Sequence, residues 1–192
     1  VPIRGSEEHG GHFELVFEGL EIPDENRLLG VGDGLKVTQI RLGTARLTHC
    51  MRWLGLSKRC LEEASAYVAH RMSFGQTLAA HEGVQWMLGD VAKDIQIGRL
   101  LTMQAAWKLD QGDFARSDIS IAKIHAADTL HKAADTAIQL LGARGYSKDT
   151  IVEWIYRYAR QARLVDGASE IHKMVLSRAY LSEGQDFFRW GV

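Results

Sequence analysis

The residue best placed for proton chemistry is Asp166, within Arg163-Leu164-Val165-Asp166-Gly167-Ala168-Ser169-Glu170-Ile171-His172. A carboxylate between an apolar pair and a glycine, at the start of a helix, is partly withdrawn from water, and such a group suits general-base work. The same pattern also fits a plain helix start in which Asp166 or Ser169 only caps. Two other segments carry binding chemistry. Arg71-Met72-Ser73-Phe74-Gly75 joins a guanidinium, a hydroxyl and free backbone N–H groups at a helix break, a set that binds phosphate. Its plainer use is a charged helix C-terminus stopped by glycine. In Gln139-Leu140-Leu141-Gly142-Ala143-Arg144-Gly145-Tyr146, two glycines three apart let backbone approach a ligand or another chain, or simply turn between helices.

Other chemistries lack their residues. The eight His include no His-Glu-x-x-His, and His81-Glu82 lacks the second His. A carboxylate-bridged di-iron bundle needs two Glu-x-x-His pairs; none occurs, and Asp128-x-x-His131 stands alone. His9-Gly-Gly-His12 has no supporting carboxylate at helical spacing, so no metal site is expected. Neither a Gly-x-Ser-x-Gly elbow nor a P-loop is present. Gly30-Val31-Gly32-Asp33-Gly34 alternates glycine without the spacing or the preceding strand of a dinucleotide loop, and reads as a flexible lead into a helix. Lys plus Arg number 23 against 24 Asp plus Glu, a balance that argues against nucleic acid as a partner. No apolar run is long enough to span a membrane. The polar start, Val1 to Gly11, lacks the apolar core of a signal peptide. Val1 in place of Met points to a processed chain or a piece of a larger one. Cys50 and Cys60, on one helix, lie about 15 Å apart, too far to bridge.

These residues need elements to hold them. The chain's 192 residues are 46% hydrophobic, enough for one medium domain with a true core. Both prolines, Pro2 and Pro23, precede residue 24, so long helices are permitted thereafter. His12 to Glu18 and Gly19 to Pro23 predict one or two short strands, the end of a β unit whose sheet lies outside the chain. From Val37 the period changes. Ile40, Thr44, Leu47, Met51, Leu54, Leu61, Ala64 and Val68 form one stripe on a helix of some thirty residues. Further stripes predict helices over about 79–109, 117–141, 150–162 and 169–181. Gly142 is placed to end the third, and Ser169 to cap the last. Broad stripes joined by short loops predict an all-α, antiparallel bundle of the four-helix type rather than a coiled coil. The division expected is 1–30, the tail of a β-domain and linker, and 31–192, the bundle.

In order and spacing, five segments resemble the C-terminal helical domain of the acyl-CoA dehydrogenases. Glu18-Gly19-Leu20-Glu21-Ile22-Pro23 is similar to the family's last β-domain strand, and Leu28-Leu29-Gly30 to Gly34 to its lead into the bundle. Arg71 to Gly75 matches R-x-[ST]-F-G, Gln139 to Gly145 matches Q-x-x-G-x-x-G, and Leu164 to Ile171 resembles I-Y-E-G-T-S-E-I. Departures point to one branch. Arg41-Leu42-Gly43-Thr44-Ala45-Arg46-Leu47-Thr48-His49-Cys50-Met51-Arg52, with Asp166-Gly167, is similar to the branch in which Asp replaces Glu as the base. The Asp is one methylene shorter, about 1.5 Å of reach.

The resemblance implies a flavin-dependent oxidoreductase of fatty acid metabolism. A base removes the α-proton of an acyl-CoA thioester, and the β-hydrogen leaves as hydride to N5 of FAD, giving a trans-2-enoyl-CoA. By position, Asp166 is the base, with Arg46, Val165 and Gly167 in the substrate pocket. Arg71, Ser73 and Phe74 meet FAD, the first two at its pyrophosphate. Gln139, Gly142 and Gly145 approach the adenine half of FAD held by a neighbouring copy, and Ala168 and Glu170 also fall among the cofactor contacts. Self-association as a dimer or tetramer follows, as does an electron-transfer flavoprotein as acceptor. The location implied is cytoplasmic in a bacterium, and mitochondrial or peroxisomal in a eukaryote. Family chains are about twice as long, so this chain is expected to be a C-terminal fragment, inactive alone. Two rival readings remain: a non-catalytic oligomerisation or binding module, which Val165 and Ala168 keep open, and a related acyl-CoA oxidase.

Overall fold

The computed structural model describes residues 13–189. Six helices and one small hairpin make up the fold: α1 Gly34–Val68, β1 Met72–Ser73, β2 Gln76–Thr77, α2 Glu82–Asp110, α3 Arg116–Leu141, α4 Ala143–Tyr146, α5 Ile151–Ala159 and α6 Ser169–Glu183. The long helices begin and end within a few residues of the expected positions. Two short pieces differ. Residues 143–146, expected as a turn, close one helical turn, and the expected helix over 150–162 tightens into a 3-10 turn at Arg160–Arg163.

Helix α3 is central, packed by α1, α2, α5 and α6. Its inward face is built from Ala122, Ala126, Ala127, Ala133, Ala134 and Ala137, all buried. Alanine loses no side-chain entropy in a helix, and its small size lets neighbouring axes close in. Larger groups come from the partners: Trp53, Leu54 and Val68 of α1, Val91 and Ile95 of α2, Val152 and Ile155 of α5. A second, smaller cluster of Leu47, Ala105, Ala115 and Ile119 closes the other end of the bundle.

The strands predicted before the bundle do not form where described. His12 and the His9–His12 motif lie outside the described residues. Over 13–30 there is no strand, only a 3-10 turn at Asp24–Asn26. Phe13 is 77% and Ile22 64% exposed. The physical reason is that a lone extended segment has no neighbour for its N–H and C=O groups. Among the described residues two strands form, and they pair as a hairpin after α1, Met72 opposite Thr77 and Ser73 opposite Gln76. Its loop residues, Phe74 (φ 50°) and Gly75 (φ 80°), are both left-handed, as a two-residue hairpin of this twist requires.

Gly145 is needed by its own helix pair. A Cβ there would sit 2.8 Å from Leu141 Cβ and 2.9 Å from Ile138 Cα, with backbone on one side. Gly145→Ala is expected to destabilise the bundle by about 1–3 kcal/mol. Thermal unfolding followed by circular dichroism checks this; an unchanged midpoint overturns the packing account.

Candidate active site

Asp166 and Gly167 are two consecutive left-handed residues, φ 52° and 96°, between the Arg160–Arg163 turn and α6. That conformation costs an L-residue about 1–2 kcal/mol, least for Asp and Asn. Three helices hold it in place. Arg46 of α1 donates Nε–H to the Asp166 carbonyl at 2.9 Å. His172 of α6 places Nε2 3.3 Å from the same oxygen. Lys123 of α3 donates Nζ–H to the Gly167 carbonyl at 2.8 Å. Gly167 is also spatially required, since a Cβ would lie 3.1 Å from His172 Nε2.

The carboxylate points back to α1. Its Oδ2 lies 2.7 Å from His49 Nε2, a close polar contact off the line of a hydrogen bond, and that oxygen is buried. The helix-cap alternative therefore fails. Ala168, not Asp166 or Ser169, occupies the N-cap position of α6, and no side chain caps there. His49 stacks on Trp53 at 5.4 Å and 14°. The Arg52 guanidinium contacts His49 Nδ1 from the other side.

Buried titratable groups surround the turn. Lys123 is fully buried, its ammonium 5.7 Å from the centre of the Trp53 ring. Burial pulls its pKa below the ordinary lysine value, against the pull of Cys50 and Asp166. The imidazoles of His49 and His172 are likewise lowered, first by burial, with Asp166 opposing. The Cys50 thiol is pushed up to about 12 by burial, which makes it a packing group and not a nucleophile. A carbonyl must accept from His172 Nε2, so that nitrogen carries the proton and Nδ1, 3.0 Å from Ser120 Oγ, accepts from the hydroxyl.

A cleft of about 730 Å³ opens between the start of α1 and the α2–α3 connection, lined by Gln39, Thr44, Arg46, Phe114, Arg116 and Ser120 among others. Arg46 belongs both to this wall and to the clamp on the Asp166 carbonyl, so the cleft and the turn share one side chain. Arg46, Val165, Asp166 and Gly167 thus come together as expected, with Val165 packed on the main core. Ala168 is half-buried at the α6 cap, and Glu170 is exposed, 4.0 Å from Arg163.

The remaining expected residues gather elsewhere. From Arg46 to the end of α1 is about 33 Å at 1.5 Å per residue. Beyond that end stands the hairpin, with Arg71 exposed at its base, Ser73 half-buried and Phe74 96% exposed at its tip. Gln139 and Gly142 are exposed at the α3–α4 junction, and a Cβ on Gly142 would meet nothing, although its φ of 61° is left-handed. One surface groove is lined by Tyr67, His70, Arg71, Leu141 and Arg144, joining hairpin and junction. A cation pair, a hydroxyl, an uncovered aromatic ring and an uncovered amide suit the pyrophosphate and adenine of FAD. Gly145 is the exception, because internal packing accounts for it.

His49, Lys123, Ser120 and His172 were not singled out from the sequence. A signal existed: Arg46, His49 and Trp53, spaced i, i+3 and i+7, share one face of α1, and Ser120 and Lys123 share one of α3. Polar groups repeating on a core-facing stripe mark a buried polar site.

Comparison with known proteins identifies the family. The profile of the family "Acyl-CoA dehydrogenase, C-terminal domain" matches residues 32–181. "Acyl-CoA dehydrogenase family member 11" of Homo sapiens is 36% identical over 177 residues, 91% of this chain and 23% of that protein. "Probable acyl-CoA dehydrogenase FadE2" of Mycobacterium tuberculosis is 35% identical over 194 residues, 100% of this chain and 48% of that protein. Among solved structures, butyryl-CoA dehydrogenase of Megasphaera elsdenii superposes with a TM-score of 0.83 at 30% identity, covering 86% of this chain and 43% of that one. The chain spans less than half the length of each.

Because His49 and His172 resist protonation in the fold, the unfolded chain binds protons more readily as pH falls below about 6.5. Stability is expected to be full above that value and to fall below it, with a smaller fall in His172→Gln. Denaturant midpoints from pH 7.5 to 5 check this; an acid-insensitive wild type in that window overturns it. Lys123→Met leaves the Gly167 carbonyl without its donor, and a loss of about 1–3 kcal/mol is expected in the same measurement.

Proposed function

We propose a function from one established premise: this chain belongs to the acyl-CoA dehydrogenase family and carries its C-terminal domain. The protein that contains it catalyses α,β-dehydrogenation of an acyl-CoA thioester to a trans-2-enoyl-CoA, and this domain supplies the base. The observation that carries this reading is Asp166, held on a left-handed turn whose carbonyls take donors from three helices, one of them Arg46, which also lines an open cleft.

The chemistry follows from that placement. A thioester acidifies its α C–H, and a carboxylate within reach takes the proton as the new double bond forms. FAD, when bound, accepts the β-hydrogen with its electron pair, which balances the oxidation. Asp166 holds the proton afterwards. Arg46 holds the backbone of the base in place through its bond to the Asp166 carbonyl. Val165 and Gly167 shape the wall around it.

Arg71 and Ser73 bind the pyrophosphate, Phe74 packs beside it, and Gln139 and Gly142 meet the adenine half of FAD. Most of the length of α1 separates these residues from Asp166. One chain therefore serves its own substrate with one end and a neighbouring copy's cofactor with the other, so the working form is an oligomer. An electron-transfer flavoprotein is the proposed acceptor. Asp at position 166 assigns the protein to the Asp-base branch of the family. This chain alone does not turn over substrate, because the rest of the FAD and thioester sites is carried elsewhere in proteins of this family.

The test uses the FAD-loaded, full-length protein under anaerobic conditions, titrated with a panel of acyl-CoAs. Bleaching of flavin absorbance by one chain-length class is expected. Asp166→Asn is expected to retain FAD and lose bleaching by at least about 10²-fold. Bleaching at the wild-type rate removes Asp166 from the base role. Arg71→Ala is expected to lose FAD on gel filtration, and a fully loaded variant overturns that assignment. Oxygen consumption in place of acceptor dependence would make the protein an oxidase.

A further inference from the structure

The contacts of His49 carry information beyond the base itself. Its ring is fixed on three sides. One face stacks on Trp53. Nδ1 meets the Arg52 guanidinium, and Nε2 lies 2.7 Å from Asp166 Oδ2. Arg52 is itself held over the Tyr158 ring of α5, 5.9 Å from its centre. A guanidinium has five donors and no acceptor. His49 Nδ1 must therefore accept, which leaves the ring proton on Nε2, the nitrogen nearest the carboxylate.

We propose that Arg52 locks His49 in the neutral, Nε2-protonated form, and that His49 so locked is the positioning residue for Asp166. The inference rests on Asp166 being the base. The consequences are chemical. Nε2 has no lone pair to offer, so His49 does not drain the proton that Asp166 takes from substrate. Oδ2 is buried against the ring, so the ring limits where the carboxylate can sit. An imidazolium in the same place would put a full cation beside the carboxylate and weaken it as a base. Arg52 opposes that second proton by like charge. The charged and titratable groups facing this pair are Arg41, Arg46 and Arg52 of α1, Lys123 of α3, His172 of α6 and Asp166 itself.

Two measurements test the proposal. Long-range 1H–15N correlation spectra of this chain are expected to show His49 as the Nε2–H tautomer across pH 6–8. A ring protonated on Nδ1, or on both nitrogens at pH 7, overturns the lock. In the FAD-loaded, full-length protein, His49→Leu is expected to slow flavin bleaching at saturating acyl-CoA by about tenfold or more, with FAD content unchanged. His49→Gln returns an N–H to the same place and is expected within about threefold of wild type. Arg52→Met is expected to move the acid limb of the rate to higher pH, because one like charge opposing the second ring proton is gone. Wild-type bleaching in His49→Leu, or a His49→Gln as slow as His49→Leu, overturns the positioning role. The base reading fails separately, if Asp166→Asn still bleaches, and the tautomer remains readable in either case.

Discussion

The turn at Asp166–Gly167 is the constraint on which the site depends. Two adjacent left-handed residues do not persist unaided. Here their carbonyls are taken by Arg46, His172 and Lys123, so the conformation is stable only while α1, α3 and α6 stand in register. Reach and direction of the carboxylate are consequences of bundle packing. A shift of any of the three helices would move Asp166.

The same packing explains why charged groups survive inside. A buried ammonium is costly unless it is paired or well solvated by dipoles. Lys123 meets a carbonyl and the face of Trp53, and it lies close to Asp166. His172 is satisfied at both nitrogens without charge. Cys50, which borders this region, stays a thiol and contributes only volume. The site therefore combines one carboxylate with several cations and neutral donors, an arrangement that keeps the acid group oriented without enclosing it.

Length is the second structural theme. Helix α1 runs 35 residues, about 52 Å, with the Arg46 clamp nearer its start and the hairpin beyond its end. Absence of proline after residue 23 and an unbroken apolar stripe permit this. The hairpin's uncovered Phe74 and the open Gly142 face away from the chain's own core, as groups serving another body must.

Helix number, approximate bounds and the bundle class were legible in the sequence, because periodic burial is a local property written every three or four residues. Asp166 was legible as a candidate through its neighbours Val165 and Gly167. The early strands were misjudged, since alternation from Phe13 to Ile22 describes a surface that needs a sheet which the described residues do not contain. The resemblance placed Arg46 in one pocket with Asp166, 120 positions on, but the other partners were not legible; Lys123 is 44 positions from Gly167. What the sequence by itself determined was which residues could be helical, apolar or basic. Only the tertiary structure decided that His49, Lys123 and His172 converge with Arg46 on one turn, because hydrogen bonds and close polar contacts depend on distances in space that no local pattern encodes.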